Sequence, residues 1–338
     1  MTNVEIRSLG RDDLASAALD GVGSIEFILG LHGRIWPVIE RRLVIVERLT
    51  DPWEVGDGFQ TAADTALAIG RYEDARRWAT EGYERARGGP DVWRAGLAWR
   101  SIARFKLGDW DGAVEDFERM EAARTTTRFG SVGYFTLTMW SCLGLLHELR
   151  GEQAAADRLA TGLIPELPGT ATIRRIPWLA RLSAHRGSDE ALGLIEESAS
   201  MAGRNMAKGA ILEAHCDVIA ELGRWDDADE VVAGARAFAE QALLDALPLH
   251  ADRLEGRMAL ARGDATTAVA ALAHATEGFA GLGATWEAAL ARLWLGEARL
   301  AASIPGARES AEAALDVFEE LRSVRESEQA RSLLSRIG

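Results

Sequence analysis

Ser101-Ile102-Ala103-Arg104-Phe105-Lys106-Leu107-Gly108-Asp109-Trp110-Asp111-Gly112-Ala113 is the stretch on which the fold turns. Its apolar residues recur at helical spacing up to Gly108, a residue that enters the left-handed conformation without a Cβ penalty and so commonly ends a helix. Asp109 then favours a new helix N-terminus, and Trp110, Ala113 and Phe117 resume the helical period beyond it. The phrase therefore predicts a helix, a tight turn and a second helix packed back on the first.

The same phrase recurs along the chain. Gly30, Gly70, Gly108, Gly151, Gly187, Gly223 and Gly263 each precede a new helical pattern, and Ser303-Ile304-Pro305-Gly306 supplies an eighth turn, with successive spacings of 40, 38, 43, 36, 36, 40 and 40 residues. Self-similarity at such a period is the signature of stacked helix pairs. A second regularity keeps the same phase. Seven residues before each turn stands a small side chain: Gly23, Ala63, Ser101, Gly144, Ala180, Cys216, Gly256 and Gly296. Two antiparallel helices approach most closely near their turn, where a large side chain would force them apart. Five residues after the turn comes Ala75, Ala113, Ala156, Ala228 or Ala268, with Ala191 and Ala307 one position earlier and Ile35 in the first unit. These alanines are expected to fill the space that the small residues open.

The fold predicted is all-α, a right-handed α-solenoid of about eight helix–turn–helix units in a single domain over residues 1–338. The units fall near 11–50, 51–88, 90–126, 131–168, 170–202, 205–242, 246–283 and 284–323, and 324–338 forms a polar capping helix. Pro52, Pro90, Pro165, Pro168, Pro177, Pro248 and Pro305 mark boundaries, and Pro37 is expected in a first helical turn. Phe129 to His147 carries no Asp, Glu, Lys or Arg, which reads as a helix buried between neighbours rather than a membrane span.

Small residue, turn Gly, aromatic two later and Ala five later, as in Ser101, Gly108, Trp110 and Ala113, resemble the tetratricopeptide repeat. The units here are longer than that motif's 34 residues and mostly lack its first-helix aromatic, so the likeness is to degenerate, tetratricopeptide-like repeats. The phrases Val46–Glu54 and Phe279–Ala289 are similar to the C-terminal repeat region of bacterial multidomain signalling ATPases, either class III adenylate/guanylate cyclase-associated or LuxR/MalT-like regulators. That resemblance implies a module that senses a ligand or partner and restrains an ATPase. The other modules of that family are missing from this sequence: it contains no Gly-Lys dipeptide, hence no P-loop.

Charge narrows the partners. Against 38 Lys and Arg stand 52 Asp and Glu, a net charge of −14 that repels phosphate backbones, so no nucleic acid is expected. No membrane partner is expected either. The two cysteines, Cys142 and Cys216, fit no disulfide framework, and a cytoplasmic setting follows. Among the six histidines no two lie within four residues, so no HExxH-type zinc helix exists; no metal, cofactor or catalytic residue is assigned, and the chain reads as no enzyme.

The candidate binding residues come from the repeat phase. Gln60, Asp64, Glu213, Asp217, Arg253 and Arg257 are expected to face a concave groove, and Trp99 and Trp140 to line it from first helices. The plainer reading makes the polar set a solvated surface and the tryptophans inter-repeat core. Acids toward the middle and arginines toward the end would leave the groove electrically uneven. The function expected is a protein-interaction or regulatory module holding a partner protein or peptide. The alternative is a small-molecule sensor whose pocket is lined by the weakly charged segment Phe129–Leu149.

Overall fold

Residues 11–87, 93–124, 134–161, 173–200 and 206–338 are described by the structure, a computed structural model. Every regular element among them is a helix. In chain order these are α1 (Asp12–Ile28), α2 (His32–Val46), α3 (Pro52–Ile69), α4 (Tyr72–Arg85), α5 (Trp93–Leu107), α6 (Trp110–Arg124), α7 (Tyr134–Leu149), α8 (Gln153–Thr161) and α9 (Ile176–His185). The chain continues through α10 (Glu190–Ser200), α11 (Lys208–Glu221), α12 (Ala228–Ala242), α13 (Leu247–Ala261), α14 (Ala265–Gly281), α15 (Thr285–Ala301), α16 (Ala307–Leu321) and α17 (Val324–Ile337). Met1 to Gly10, Pro90, Pro165, Pro168 and Phe129 to Gly133 lie outside the described residues. No helix among the described residues is long and apolar enough to cross a membrane.

The turns are made as the sequence requires. Gly30, Gly70, Gly108, Gly151, Gly187, Gly223 and Gly263 all have positive φ, from 65° to 95°, and in the eighth turn Ser303 adopts φ 55°. The small residues then meet the second helix of the pair. Ser101 Oγ donates to the Ala113 carbonyl at 2.8 Å. A Cβ on Gly144 would lie 3.6 Å from the Ala156 carbonyl oxygen, and one on Gly296 3.2 Å from that of Ala307. Gly256 departs from the rule by receiving Leu272 rather than Ala268, the Leu272 Cγ standing 2.5 Å from where its Cβ would be.

One expectation is corrected. Pro37 sits inside α2 rather than in its first turn; the carbonyl four residues back, which its ring crowds and cannot bond, belongs to Gly33. Gly33 itself lies against the backbone of Ala242 and Leu243, where any side chain would collide. The last helix, α17, buries one face. Its Glu326, Ser327, Ala330 and Leu333 are buried, and its Arg325 reaches Glu221 at 2.7 Å and the His185 carbonyl at 3.0 Å.

The odd-numbered helices touch in succession and make a continuous inner layer: α3 on α5, α5 on α7, α7 on α9, α9 on α11, α11 on α13 and α13 on α15. Even-numbered helices pack outside it, α8 against α7 and the others against both flanking neighbours. The layer curls far enough to bring α15 onto α5 and α12 onto α2. At that seam each turn seats against a later helix start. Gly70 lies against Ala246, Gly108 against Thr285 and Gly151 against Val324. Backbone and side-chain bonds close it: Asp245 N–H to the Ile69 carbonyl at 2.9 Å, and Thr285 Oγ1–H to the Leu107 carbonyl at 2.8 Å.

Candidate functional site

The curl turns one face of each odd-numbered helix inward. On α11, Glu213, Asp217 and Glu221 recur every fourth residue and so share a stripe. On α13, His250, Arg253 and Arg257 make the facing stripe. The two stripes pair: Arg253 Nη2 donates to Asp217 Oδ1 at 2.7 Å and Arg257 Nη1 to Glu221 Oε1 at 2.8 Å, each across 36 residues of chain. The expected electrical unevenness is thus replaced by mutual neutralisation, because acids and arginines in successive units face one another.

Around this pair a buried network assembles from five helices. Arg253 Nη1 also meets Glu287 Oε2 of α15 at 2.7 Å, and Lys106 Nζ of α5 approaches Glu287 Oε1 at 3.2 Å. Arg181 Nε of α9 stands 2.9 Å from Asp217 Oδ2. Burial alone would raise the Asp217 and Glu287 carboxyls, but Arg253 acting on both, with Arg181 on the first and Lys106 on the second, holds them well below the ordinary range. Asp217, His250 and Glu287 also present potential ligand atoms within 4.8 Å of one another. The Arg253 guanidinium already bridges the two carboxylates, so a metal ion could enter only by displacing it.

Beside the network lies a cavity of about 90 Å³, lined among others by His32, Asp64, Tyr72, Trp99, Lys106, Trp178, Arg181 and Glu213. That is several times the space one water needs, and below the roughly 300–1,000 Å³ of drug-sized sites. A wider cleft of about 270 Å³ between α1, α2 and α3 shares Asp64 and Met206 with it. Asp64 holds Arg174 through two bonds of 2.8 Å, and the Arg174 guanidinium stands 5.5 Å from the Trp99 ring.

The eight sequence candidates separate into groups. Asp64, Trp99 and Glu213 line the cavity. Asp217, Arg253 and Arg257 line a smaller void of about 30 Å³ on the other side of Arg181. Trp140 belongs to the main apolar core. Gln60 lies apart, half-buried, donating to Asp57 at 3.1 Å. Among the described residues of the central segment, only Thr138 lines the cavity, and Leu145 and Leu149 line the void. Arg181 was within reach of the sequence: it stands six residues before Gly187, as Asp64, Asp217 and Arg257 stand before their own turns. Lys106 and Glu287 obey no such phase, since their places depend on how the whole layer curls; His32 stands two residues after Gly30, as Tyr72 and Trp110 stand after their own turns. Both cysteines are buried, and burial pushes their thiols far up, which suits inert packing.

No known protein-family model matches this chain, and no curated protein matches its sequence.

Proposed function

We infer that this chain is a tetratricopeptide-like α-solenoid that senses a small molecule, with the ligand held inside its curl and no chemistry performed on it. The observation that carries the reading is the cavity beside the ionic network, in which buried polar groups face aromatic walls. Sites of this kind use a few placed polar groups within a largely apolar lining. The solenoid reading is supported by the even spacing of the left-handed turns and by the small-residue seams. A regulatory role follows from the geometry: a ligand bound between α3, α5, α9 and α11 contacts helices from four units at once, and so biases how those units stack.

Native mass spectrometry of the gently purified protein tests this. A non-covalent small molecule that is released on acid unfolding, and lost in Trp178→Ala, is the expected result. A bare mass from every preparation, with no ligand found by metabolite screening, would remove the reading.

A partner protein is a second reading, favoured by one observation. Leu14, Val22, Ile25 and Leu29 recur along α1 and are 42–69% exposed, which leaves an apolar stripe at one end of the stack. Loss of a partner on Val22→Ser with Ile25→Ser would support it, and unchanged association would count against it.

A further inference from the structure

We propose that the ligand of this cavity is a small, uncharged aromatic molecule carrying N–H donors, an aryl amide or an amino-heteroarene. The proposal rests on the sensing reading above and specifies its ligand. Three observations carry it: an acceptor without a donor, a carboxylate without a hydrogen bond, and a balance of charge.

The acceptor is His32. Its Nε2 lies 2.8 Å from the Met206 carbonyl, which can only accept, so Nε2 carries the proton. Burial lowers the pKa of this ring and keeps it neutral. Nδ1 is therefore left with a lone pair, and it is buried with no hydrogen-bond partner. A buried acceptor left unmade costs free energy, which a ligand N–H recovers.

Glu213 is the carboxylate. Lys106, Arg181 and His250 surround it at 3.9, 3.8 and 3.7 Å, beyond hydrogen-bond length. No described residue hydrogen-bonds it, although it lines the cavity. Both of these positions accept. On the same wall, Arg181 Nε and Nη2 are buried donors without a hydrogen bond. The molecule that completes the site therefore donates to the first two and presents an acceptor, such as an amide carbonyl or a ring nitrogen, to Arg181.

Charge excludes ions. The cations Lys106, Arg174, Arg181 and Arg253 are matched by the carboxylates of Asp64, Glu213, Asp217 and Glu287. A net charge added to a balanced, buried set pays desolvation without a counter-ion. The aromatic and aliphatic walls, Trp99 and Trp178 among them, favour a ring.

Four compounds of one shape separate these claims: benzamide, N,N-dimethylbenzamide, benzoate and benzamidinium. Their binding to the full chain is measured by ligand-observed NMR with competition. Benzamide is expected to bind about tenfold more tightly than its dimethyl derivative, the factor of one hydrogen bond, and more tightly than either ion. That preference is expected to shrink severalfold in Glu213→Gln, whose folding is checked by circular dichroism. Tighter binding of benzoate or benzamidinium, or equal binding of the two amides, overturns the ligand class while leaving a sensor of another ligand. If none of the four binds, the molecule found by native mass spectrometry decides: a neutral donor upholds the class, and an ion or a non-donor overturns it. Should no ligand be found at all, the class and the sensing reading fall together.

Discussion

Two surfaces of the same helices are built on opposite principles. The seams within helix pairs are small, apolar and local: Gly144 faces Ala156, Ser101 faces Ala113, and Gly256 receives Leu272. The inner face of the odd-numbered helices is large, charged and non-local: Lys106 meets Glu287 across 181 residues and Arg174 meets Asp64 across 110. The seams make the fold stable, since close packing of apolar groups is favourable wherever it occurs. The ionic interior adds less stability for its size, because desolvation offsets most of its attraction, but losing one partner leaves a buried charge under-compensated. The first surface builds the scaffold and the second lines the cavity.

The largest effect expected is on the interior. Glu287→Ala takes from buried Lys106 its nearest carboxylate and from Arg253 one of its two, and should cost about 3–5 kcal/mol in urea unfolding. A loss below about 1 kcal/mol would mean that water reaches the network and that the two surfaces differ less than their burial implies. Next comes acid. Burial would raise the Glu326 carboxyl of α17, but its bond with His185, the Arg325 charge and the Ser323 hydroxyl outweigh that and set its pKa at about 2, below the ordinary 4.5. Its folded pKa is depressed, so its contribution is complete above pH 4.5 and fades as pH falls toward 2. Wild type should lose about 3 kcal/mol more than Glu326→Gln over that window. Parallel pH profiles for the two proteins would show that α17 is not held by this carboxylate.

The seams should respond less. Gly256→Leu drives a side chain into Leu272, and about 1–3 kcal/mol of destabilisation is expected; an unchanged melting temperature would remove Gly256 from the seam. The smallest effect has the opposite sign. Gly234 on α12 has open space where its Cβ would be, so Gly234→Ala should stabilise by about 0.5–1 kcal/mol. Any destabilisation there would reveal a contact on the outer face.

The contrast also explains what could be read in advance. Turn and seam depend on residues a few positions apart, so Gly108, Ser101 and Ala113 announce themselves within one phrase. The stripe on α11 was legible for the same reason, as Glu213 and Asp217 are one helical turn apart. Its partners were not. Whether Glu287 meets Lys106 depends on the small rotation between successive helix pairs, summed over several units, and no local pattern encodes that sum. His32 shows the same limit, since its lone pair matters only because the Met206 carbonyl takes the other nitrogen.

The turns at Gly70, Gly108 and Gly151 seat against Ala246, Thr285 and Val324, residues more than 170 positions further on. An open array of repeats frays from its ends, one unit at a time, because each unit feels only its neighbours. Here the second to fourth turns are laced to the last three odd-numbered helices, so opening either region exposes the other. Amide protons in α3 and α13 should therefore exchange together, through one shared opening. The chain should also fold slowly for a helical protein, because contacts so far apart in sequence form late.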